Sequence, residues 1–392
     1  MNLTKRDIVI AGGGIGGMAA GLALAQRGAR VTIHERRAAF EEVGAGLQIG
    51  PSGMRVLDAL GLGDAVRAVG TSPEAIVLRD YRDGRALMEM PLGAAAEKRW
   101  GAPYLHLHRA DLLSLLVEAA ERAGVAFEMN SKVTGFEHSG LRLEGGRRVE
   151  GDCVIAADGV RSAVRRQMWD GEEVRFTGQV AWRGLVKADR LPEPLPPQTH
   201  LILGPGRHLV LYRLRGGDLI NFVAVEEREN WAEEGWSHPD DPDTLRRAFD
   251  GFGGLARPVL DACEETFLWG LFEHPPLPHW REGHMAVLGD AAHPMLPFLA
   301  AGAVSALEDA WVLAAMLERE ETVTAALAAY EAARKPRATR IQKEAAGQAR
   351  LYHLQGPLRP FVHLGMRMTS TLMPGFAAAR FDWLYGHDVT IG

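Results

Sequence analysis

Three glycines near the N-terminus have the spacing of a phosphate-binding turn. Gly12, Gly14 and Gly17 follow the short apolar run DIVIA and precede the helix-forming run MAAGLALAQRG. In such a turn the first glycine permits a tight bend, the second lets the backbone approach a pyrophosphate, and the third lets the helix pack on the strand. Glu35 ends the next predicted strand, where a carboxylate can accept two ribose hydroxyls. The pattern predicts a nucleotide site and by itself leaves FAD and NAD as alternatives.

Two later turns could complete a flavin site. Asp158 and Gly159 follow the apolar run DCVIA, and Asp290 follows the apolar run MAVL. A carboxylate after a strand can hold ribityl hydroxyls, although an ordinary helix-capping Asp gives the same pattern. Gly302 and Ala303 lie where a helix is predicted to begin, so their amides could face the flavin N1–C2=O edge, which becomes negative on reduction. The three turns together favour FAD.

The elements that must position these turns predict an α/β fold. DIVIA, the helix after it and RVTIHE form a strand–helix–strand unit, as at the start of a parallel doubly wound sheet. From about residue 176 to 272 the pattern alternates, as in HLVLYRL and LINFVAV with RGGD between them, which predicts an inserted antiparallel sheet. Helices are predicted over 107–124, 303–317 and 323–352.

The predicted domain organisation is discontinuous. Residues 1–75, 106–175 and 275–355 form the predicted FAD-binding domain. Residues 76–105 and 176–274 form the predicted substrate-binding sheet, and 356–392 form a tail that packs on the core.

Segments along almost the whole chain resemble the class A flavoprotein aromatic hydroxylases. GGGIGGMAAGLALAQRG, VIAADGVRSAVRR and VLGDAAHPMLPFLAAGA carry the three turns. AWRGLV, HLVLYRLRGG and DWLYG are most similar to the salicylate hydroxylase branch, which includes the 3-hydroxybenzoate 6-hydroxylases and the 6-hydroxynicotinate 3-monooxygenases. The resemblance implies a Rossmann-like FAD-binding domain of the glutathione reductase type, with an inserted, mostly antiparallel substrate sheet and C-terminal helices.

The resemblance also implies an FAD-dependent monooxygenase that consumes O2 and NADH or NADPH. Such enzymes hydroxylate an activated ring through a flavin C4a-hydroperoxide, and the expected substrate is a small carboxylated phenol or hydroxypyridine similar to salicylate. An FAD-linked dehydrogenase or reductase on the same scaffold and a flavin-binding protein with impaired turnover are the alternatives.

Matching the family's motifs residue by residue assigns a set of cofactor-binding positions. They are Gly12, Gly14, Ile15, Gly16, Gly17, Glu35, Arg36, Gly46, Arg109, Val133, Asp158, Asp290, Pro297, Gly302 and Ala303. One position departs from the family, which usually has Gln immediately before the glycine of its PxxxQG motif, where this chain has Ala301. Backbone donors survive that change, and side-chain contacts of the Gln do not.

The candidates for the substrate base are His106, Tyr104, His208, Tyr212 and His293. The favoured catalytic set is Tyr212, Gln48, Tyr104 and His293. The resemblance places Gln48 where the 6-hydroxynicotinate enzymes have a His, and Tyr104 at a substrate-side Tyr of the 3-hydroxybenzoate enzymes. The His that those enzymes use on the sheet falls at Leu211, and Tyr212 on the same strand could replace it. The expected substrate-binding residues are Gln48, Tyr104, Arg183, Tyr212, Phe222 and Phe298.

Composition bounds the remaining possibilities. The chain has 392 residues and a net charge of −6, without a basic nucleic-acid patch or a polybasic membrane anchor. Two cysteines argue against a disulfide scaffold and a Cys-based metal site, and the histidines lack paired ligand spacing, so we expect no metal. A cytoplasmic monomer or homodimer is expected, with a small aromatic acid as its partner.

Overall fold

Two large β-sheets, two smaller ones and α-helices along the whole chain make up the described part of the protein. The computed structural model describes residues 2–40, 46–137, 140–169, 174–229, 238–373 and 375–391. Residues 41–45, which precede the predicted cofactor-binding residue Gly46, lie outside the described residues. No helix in the described ranges is both long enough and apolar enough to span a bilayer.

The strands are numbered in chain order. They are β1 Asp7–Ala11, β2 Arg30–His34, β3 Gly46–Ile49, β4 Ala75–Asp80, β5 Ala86–Pro91, β6 Leu105–His108, β7 Ala126–Glu128, β8 Val133–Glu137, β9 Gly140–Leu143, β10 Arg148–Glu150, β11 Cys153–Ala156, β12 Arg175–Lys187, β13 Thr199–Gly204, β14 Arg207–Leu214, β15 Leu219–Glu227, β16 His238–Asp240, β17 Thr266–Glu273, β18 Arg281–Glu282 and β19 Met285–Val287.

The α-helices are numbered in the same way. They are α1 Ile15–Gln26, α2 Pro51–Ala59, α3 Gly63–Val69, α4 Ala94–Trp100, α5 Arg109–Arg122, α6 Ala163–Met168, α7 Pro242–Ala248, α8 Ala256–Asp261, α9 Gly302–Arg319, α10 Val323–Tyr352, α11 Leu358–Leu372, α12 Phe376–Ala379 and α13 Asp382–Tyr385.

A six-stranded sheet in the order β18-β19-β11-β1-β2-β7 carries the three turns. β1 pairs in parallel with β2 and β11, and β19 pairs in parallel with β11, whereas the edge strand β18 is antiparallel. Four of the five residues of β1 are buried, as expected for a strand covered on both faces, and α1 and β9 both contact it. The turns after β1, β11 and β19 therefore lie at one edge of the sheet, where doubly wound folds bind ligands.

An eight-stranded sheet in the order β16-β17-β12-β15-β14-β13-β4-β5 forms the second layer. It is antiparallel except where β13 runs parallel to β4, so the predicted α/β fold with an inserted, mostly antiparallel sheet is confirmed. Its strands come from 75–91 and 175–273, and the division of the chain into domains stays a prediction. One face of this sheet packs on α7 and α8, and the other faces the C-terminal helices.

The predicted helix over 107–124 is wrong at its start. Residues Leu105 to His108 form β6, and α5 begins at Arg109. His108 caps this helix by accepting a hydrogen bond from the amide of Ala110 at 3.3 Å. Apolar residues suit a strand and a helix equally in so short a run, and pairing with β3 decides for the strand.

A buried ionic cluster joins α9 to α10. Asp309 accepts hydrogen bonds from Arg334 at 2.8 Å and from the amide of Gly289 at 3.1 Å, and its other neighbour is His293 at 2.5 Å. Glu308 pairs with Arg334 at 2.7 Å. Burial alone would raise the pKa of Asp309, but the charges of His293 and Arg334 outweigh it and lower the pKa to about 2. The cluster therefore holds the turn after β19 against α9.

The glycine turn has no room for side chains at two places. Gly12 has a φ of +98°, in the region that favours glycine, and a Cβ there would overlap the carbonyl of Ala157. At Gly17 a Cβ would overlap the carbonyl oxygen of Gly12. Both overlaps involve backbone atoms, so rotation of a neighbouring side chain cannot relieve them.

We expect Gly17→Ala to destabilise the protein by about 3 kcal/mol or more, because the added methyl group collides with backbone. Gly347→Ala is the matched control, since a Cβ at this helical glycine meets nothing within 4 Å. That change should stabilise α10 by about 1 kcal/mol. Urea denaturation of both variants gives the free energies of unfolding, and a Gly17→Ala protein as stable as the unmodified one would contradict the geometry.

Asp309→Asn should lower the free energy of unfolding by about 3 kcal/mol at neutral pH, because it leaves buried cations short of a negative charge. The folded pKa of Asp309 is lowered, so its contribution is present above the unfolded value of about 3.9 and is lost as pH falls towards 2. The difference in the free energy of unfolding between Asp309→Asn and the unmodified protein should therefore become smaller as the pH falls through this range.

Asp261→Asn is the control, because it removes a carboxylate from an exposed ion pair with Arg257 and should change stability by less than about 1 kcal/mol. Denaturation curves from pH 7 to pH 3 test both expectations. A difference for Asp309→Asn that stays constant with pH would show that its charge is not what stabilises the cluster.

Candidate active site

Two adjoining cavities lie where the strands of the six-stranded sheet end. The glycine-turn cavity, of about 490 Å³, is lined by Gly12, Glu35, Val133 and Asp158 among others. The sheet cavity, of about 440 Å³, lies between the eight-stranded sheet and the start of α9. Four residues line both cavities, which shows that they adjoin: Gly14, Arg109, Ala157 and Gly159.

The glycine-turn cavity brings together the residues predicted for the ADP half of the cofactor. Glu35 accepts hydrogen bonds from the amides of Gly13 and Arg37, each at 2.9 Å, and these orient its carboxylate at the end of β2. Arg36 and Val133 lie in the same wall. This arrangement places a carboxylate beside the turn, as required to hold ribose hydroxyls.

Three features of this cavity fit a dinucleotide. The twelve-residue helix α1 has no side-chain cap and no acidic residue in its first turn, so its amides and dipole are available to phosphate. A Cβ on Gly14 would meet nothing within 4 Å, so this turn is open on the side of the cavity. Asp158 accepts a hydrogen bond from Ala163 at 2.9 Å through Oδ2, while its buried Oδ1 has no hydrogen-bond partner among the described residues.

The flavin end of the sheet cavity is built from two loops and the start of α9. Ile15, Gly16, Gly46, Asp290, Pro297, Gly302 and Ala303 line it. The helix α9 begins at Gly302 without a side-chain cap or a first-turn carboxylate, so its positive end faces the cavity. Ala301, where the family has Gln, lies in the wall, and the helix start is intact without that side chain.

Two tyrosines and a glutamine are among the polar residues that line the sheet cavity. The Tyr104 hydroxyl donates to Gln48 Oε1 at 2.8 Å. The Tyr212 ring lies 4.5 Å from that of His106, and its hydroxyl lies against Gly46. Burial raises the pKa of both tyrosines well above the ordinary value, so they keep their protons and act as hydrogen-bond donors.

Two residues predicted to bind the substrate, Phe222 and Arg183, do not line this cavity. Phe222 lies on the opposite face of the eight-stranded sheet, in the core with Trp182, because its neighbours Val223 and Val225 occupy the cavity face. Arg183 is placed over the Trp269 ring at 5.3 Å and does not line the cavity. These positions correct the prediction that Phe222 and Arg183 hold the substrate.

His293 is also absent from the cavity wall. Its ring is buried against Trp280, at 5.1 Å between centroids, and its Nε2 lies 2.5 Å from Asp309. Because His293 follows Asp290 closely in the sequence, it is expected to lie near the flavin. The turn after β19 instead points its side chain into the ionic cluster with Asp309. The catalytic prediction for His293 is corrected accordingly.

The structure adds two residues that the favoured sets omit. His208, Val210 and Tyr212 alternate along β14 and all line the cavity, whereas Leu211 faces the opposite core. Strand alternation from Tyr212 could have selected His208. Arg380, just after α12, also lines the cavity, and the C-terminal sequence offers no pattern that would have predicted it.

The chain is similar to known flavoproteins over nearly its full length. A family model described as an FAD binding domain matches residues 5–345. A 3-amino-4-hydroxybenzoate 2-monooxygenase of Streptomyces platensis is 36% identical over 389 residues, which cover 97% of this chain and 96% of that protein. The 3-hydroxybenzoate 6-hydroxylase 1 of Aquipseudomonas alcaligenes is 33% identical over 398 residues, which cover 97% of this chain and 98% of that protein.

Solved structures agree with this relationship. A salicylate hydroxylase substrate complex superposes with a TM-score of 0.81 at 25% identity and covers 98% of this chain and 96% of that one. Klebsiella pneumoniae HpxO complexed with FAD and uric acid superposes with a TM-score of 0.82 at 26% identity. The match covers 95% of this chain and 96% of that one. The chain therefore belongs to the FAD-binding-domain family of flavoprotein aromatic monooxygenases, enzymes that use FAD together with O2 and NADH or NADPH.

Proposed function

We propose that this protein hydroxylates a small carboxylated phenol or hydroxypyridine, with NADH or NADPH as the source of electrons. The observation that carries the proposal is the wall of the sheet cavity. Apolar side chains surround a few polar groups beside the start of α9, a composition that suits one aromatic ring. The relatives named for aminohydroxybenzoate and hydroxybenzoate support the same class of substrate.

The cofactor would be held along both cavities. Gly14 and the start of α1 would hold the pyrophosphate, Glu35 a ribose and Asp290 the ribityl chain, and the amides of Gly302 and Ala303 would be available to the isoalloxazine. When bound, FAD supplies the electrons and the activated oxygen for the reaction. The remaining tasks belong to the protein, which must orient the ring, remove its proton and exclude water.

His208 is the residue best suited to take the proton of the ring hydroxyl. Burial, with a contribution from His353, lowers the pKa of His208 well below its ordinary value, so the imidazole is neutral and offers a lone pair, but as a weak base it must pass on any proton that it takes. Tyr212 retains its own proton and can donate a hydrogen bond to the substrate, whereas the Tyr104 hydroxyl already donates to Gln48. Removing the hydroxyl proton increases the electron density of the ring, which favours attack by an electrophilic oxygen.

Arg380 supplies a cation for the substrate carboxylate. No carboxylate of the described residues lies within ion-pair distance of its guanidinium, although it lines the sheet cavity. Arg109 also lines this cavity but reaches the glycine-turn cavity as well, on the cofactor side. Arg380 therefore replaces Arg183 as the proposed partner of an aromatic acid.

Arg380→Gln should raise the KM for an aromatic acid about 5- to 10-fold, because it removes a charge-assisted contact at a partly solvated position. The KM for the corresponding phenol without a carboxylate should not change. Arg367→Gln is the control, since Arg367 is an exposed residue of α11 outside the cavity. Equal KM values for both variants on the acid would remove Arg380 from the site.

Asp290→Ala should purify with little FAD and bind it at least about 10-fold more weakly, because the ribityl hydroxyls lose a charged acceptor. The ratio of flavin to protein absorbance after gel filtration, followed by fluorescence titration with FAD, measures this. Asp64→Ala removes a fully exposed carboxylate and should retain the cofactor. Full occupancy in Asp290→Ala would contradict the proposed cofactor site.

The direct test of function is a panel of aromatic acids and hydroxypyridines. Each compound is scored by NADH and NADPH oxidation, O2 consumption and the mass of the product. Substrate-stimulated oxidation that adds one oxygen atom to the ring supports the proposal, and replacement of the carboxyl group by hydroxyl identifies a decarboxylating reaction. Turnover that proceeds without O2 on another electron acceptor would instead indicate a dehydrogenase.

A further inference from the structure

Three titratable side chains form a continuous path from the sheet cavity to the surface. His208 Nδ1 lies 2.7 Å from His353 Nε2, and His353 Nδ1 lies 3.2 Å from Glu227 Oε1. His208 lines the cavity and is 2% exposed, the His353 side chain is 1% exposed, and the Glu227 side chain is 46% exposed. The path therefore begins at the proposed substrate and ends in water.

The carboxylate of Glu227 determines which nitrogen carries each proton. An ionised carboxylate only accepts, so His353 must carry its proton on Nδ1. His353 Nε2 is then an acceptor, and His208 must donate to it from Nδ1. His208 Nε2 is left with a lone pair on a ring that lines the sheet cavity. This is the state that a proton acceptor in the cavity requires.

We propose that His353 and Glu227 relay to solvent the proton that His208 takes from the substrate hydroxyl. The O–H bond of the substrate breaks as His208 Nε2 gains a proton. The Nδ1 proton of His208 passes to His353 Nε2, and the Nδ1 proton of His353 passes to Glu227, which releases it to water. One proton leaves the ring, one reaches solvent, and both imidazoles end neutral in the other tautomer.

The elements around the path isolate it while leaving its outer end accessible. His208 is packed between the Phe298 and Tyr352 rings, at 5.5 Å and 5.2 Å between centroids. Burial raises the pKa of the Tyr352 hydroxyl well above its ordinary value, so it does not compete for the proton. Burial also lowers the pKa of His353, and the Glu227 charge opposes that effect. Neither imidazole therefore traps the proton as a stable cation.

The charged groups near Glu227 are engaged elsewhere. Arg207 pairs with Glu226 at 3.3 Å, and Arg228 pairs with the same carboxylate at 3.2 Å. Gln355 donates to Glu227 Oε2 at 3.0 Å, which holds the carboxylate in place without a charge. Glu227 is therefore the acidic group that faces His353. Arg207 is the nearby cation whose charge opposes protonation of His353.

Glu227→Gln is the sharpest test, because the amide keeps the size and a hydrogen-bond acceptor but cannot take up a proton. The probe is 4-hydroxy-3-nitrobenzoate, a nitrophenol whose absorbance changes on ionisation, bound to the FAD-loaded protein. Stopped-flow pH jumps should show that its ionisation slows at least about 10-fold in Glu227→Gln. FAD content and probe affinity should stay within about 2-fold of the unmodified protein.

Two further variants separate a relay from a structural role. His353→Gln should slow ionisation to the same level, and the double variant should be no slower, since both residues act on one path. A high concentration of a small acid–base buffer should restore the rate in Glu227→Gln, whose defect is at the surface, and not in His353→Gln. Glu229→Gln, an exposed carboxylate two residues away, should behave as the unmodified protein.

Ionisation at the unmodified rate in both Glu227→Gln and His353→Gln would overturn the relay. The relay depends on the proposed function for its substrate, but this measurement needs no hydroxylation. If the panel of aromatic acids yields no hydroxylated product while the variants still slow ionisation of the bound nitrophenol, the proposed function fails and the relay stands. If hydroxylation occurs and all variants ionise the probe equally fast, the relay alone fails.

Discussion

Asp309 is the buried carboxylate on which the geometry of the site depends. It joins α9, α10 and the turn after β19 through Arg334, His293 and the amide of Gly289. A charge in this position would be strongly unfavourable without those partners, so the three elements are held in one arrangement. Because α9 starts at the cavity and Asp290 follows Gly289, the same contacts set where the flavin end of the site lies.

The second constraint is the alternation of side chains along the eight-stranded sheet. One face supplies His208, Val210 and Tyr212 to the cavity, and the other buries Leu211 and Phe222 in a core with α7 and α8. A strand cannot turn a single side chain to the other face without shifting its whole register. The chemical groups of the site are therefore chosen by which face meets the start of α9, rather than by residue type alone.

Burial then gives these groups their chemical states. The tyrosines of the cavity keep their protons, and His208 stays neutral, because charges are unfavourable in an apolar wall. Hydrogen-bond donors and one proton acceptor thus surround the space for a ring. The same burial makes a cationic His208 unfavourable, and the path through His353 to the half-exposed Glu227 lets a proton taken from the substrate leave the cavity.

Local patterns in the sequence determined the glycine turn, the order of strands and helices, and the family. The steric limits at Gly12 and Gly17, and the periodic placing of apolar residues in strands and helices, act over only a few residues. Tyr104, Gln48 and Tyr212, which local patterns and the resemblance singled out, line one cavity. Tertiary structure alone decided that His293 joins Asp309, that Phe222 faces away, and that Arg380 and His353 approach from the C-terminal segment. These outcomes depend on contacts between residues far apart in the chain, and no local periodicity records which distant surfaces will pack together.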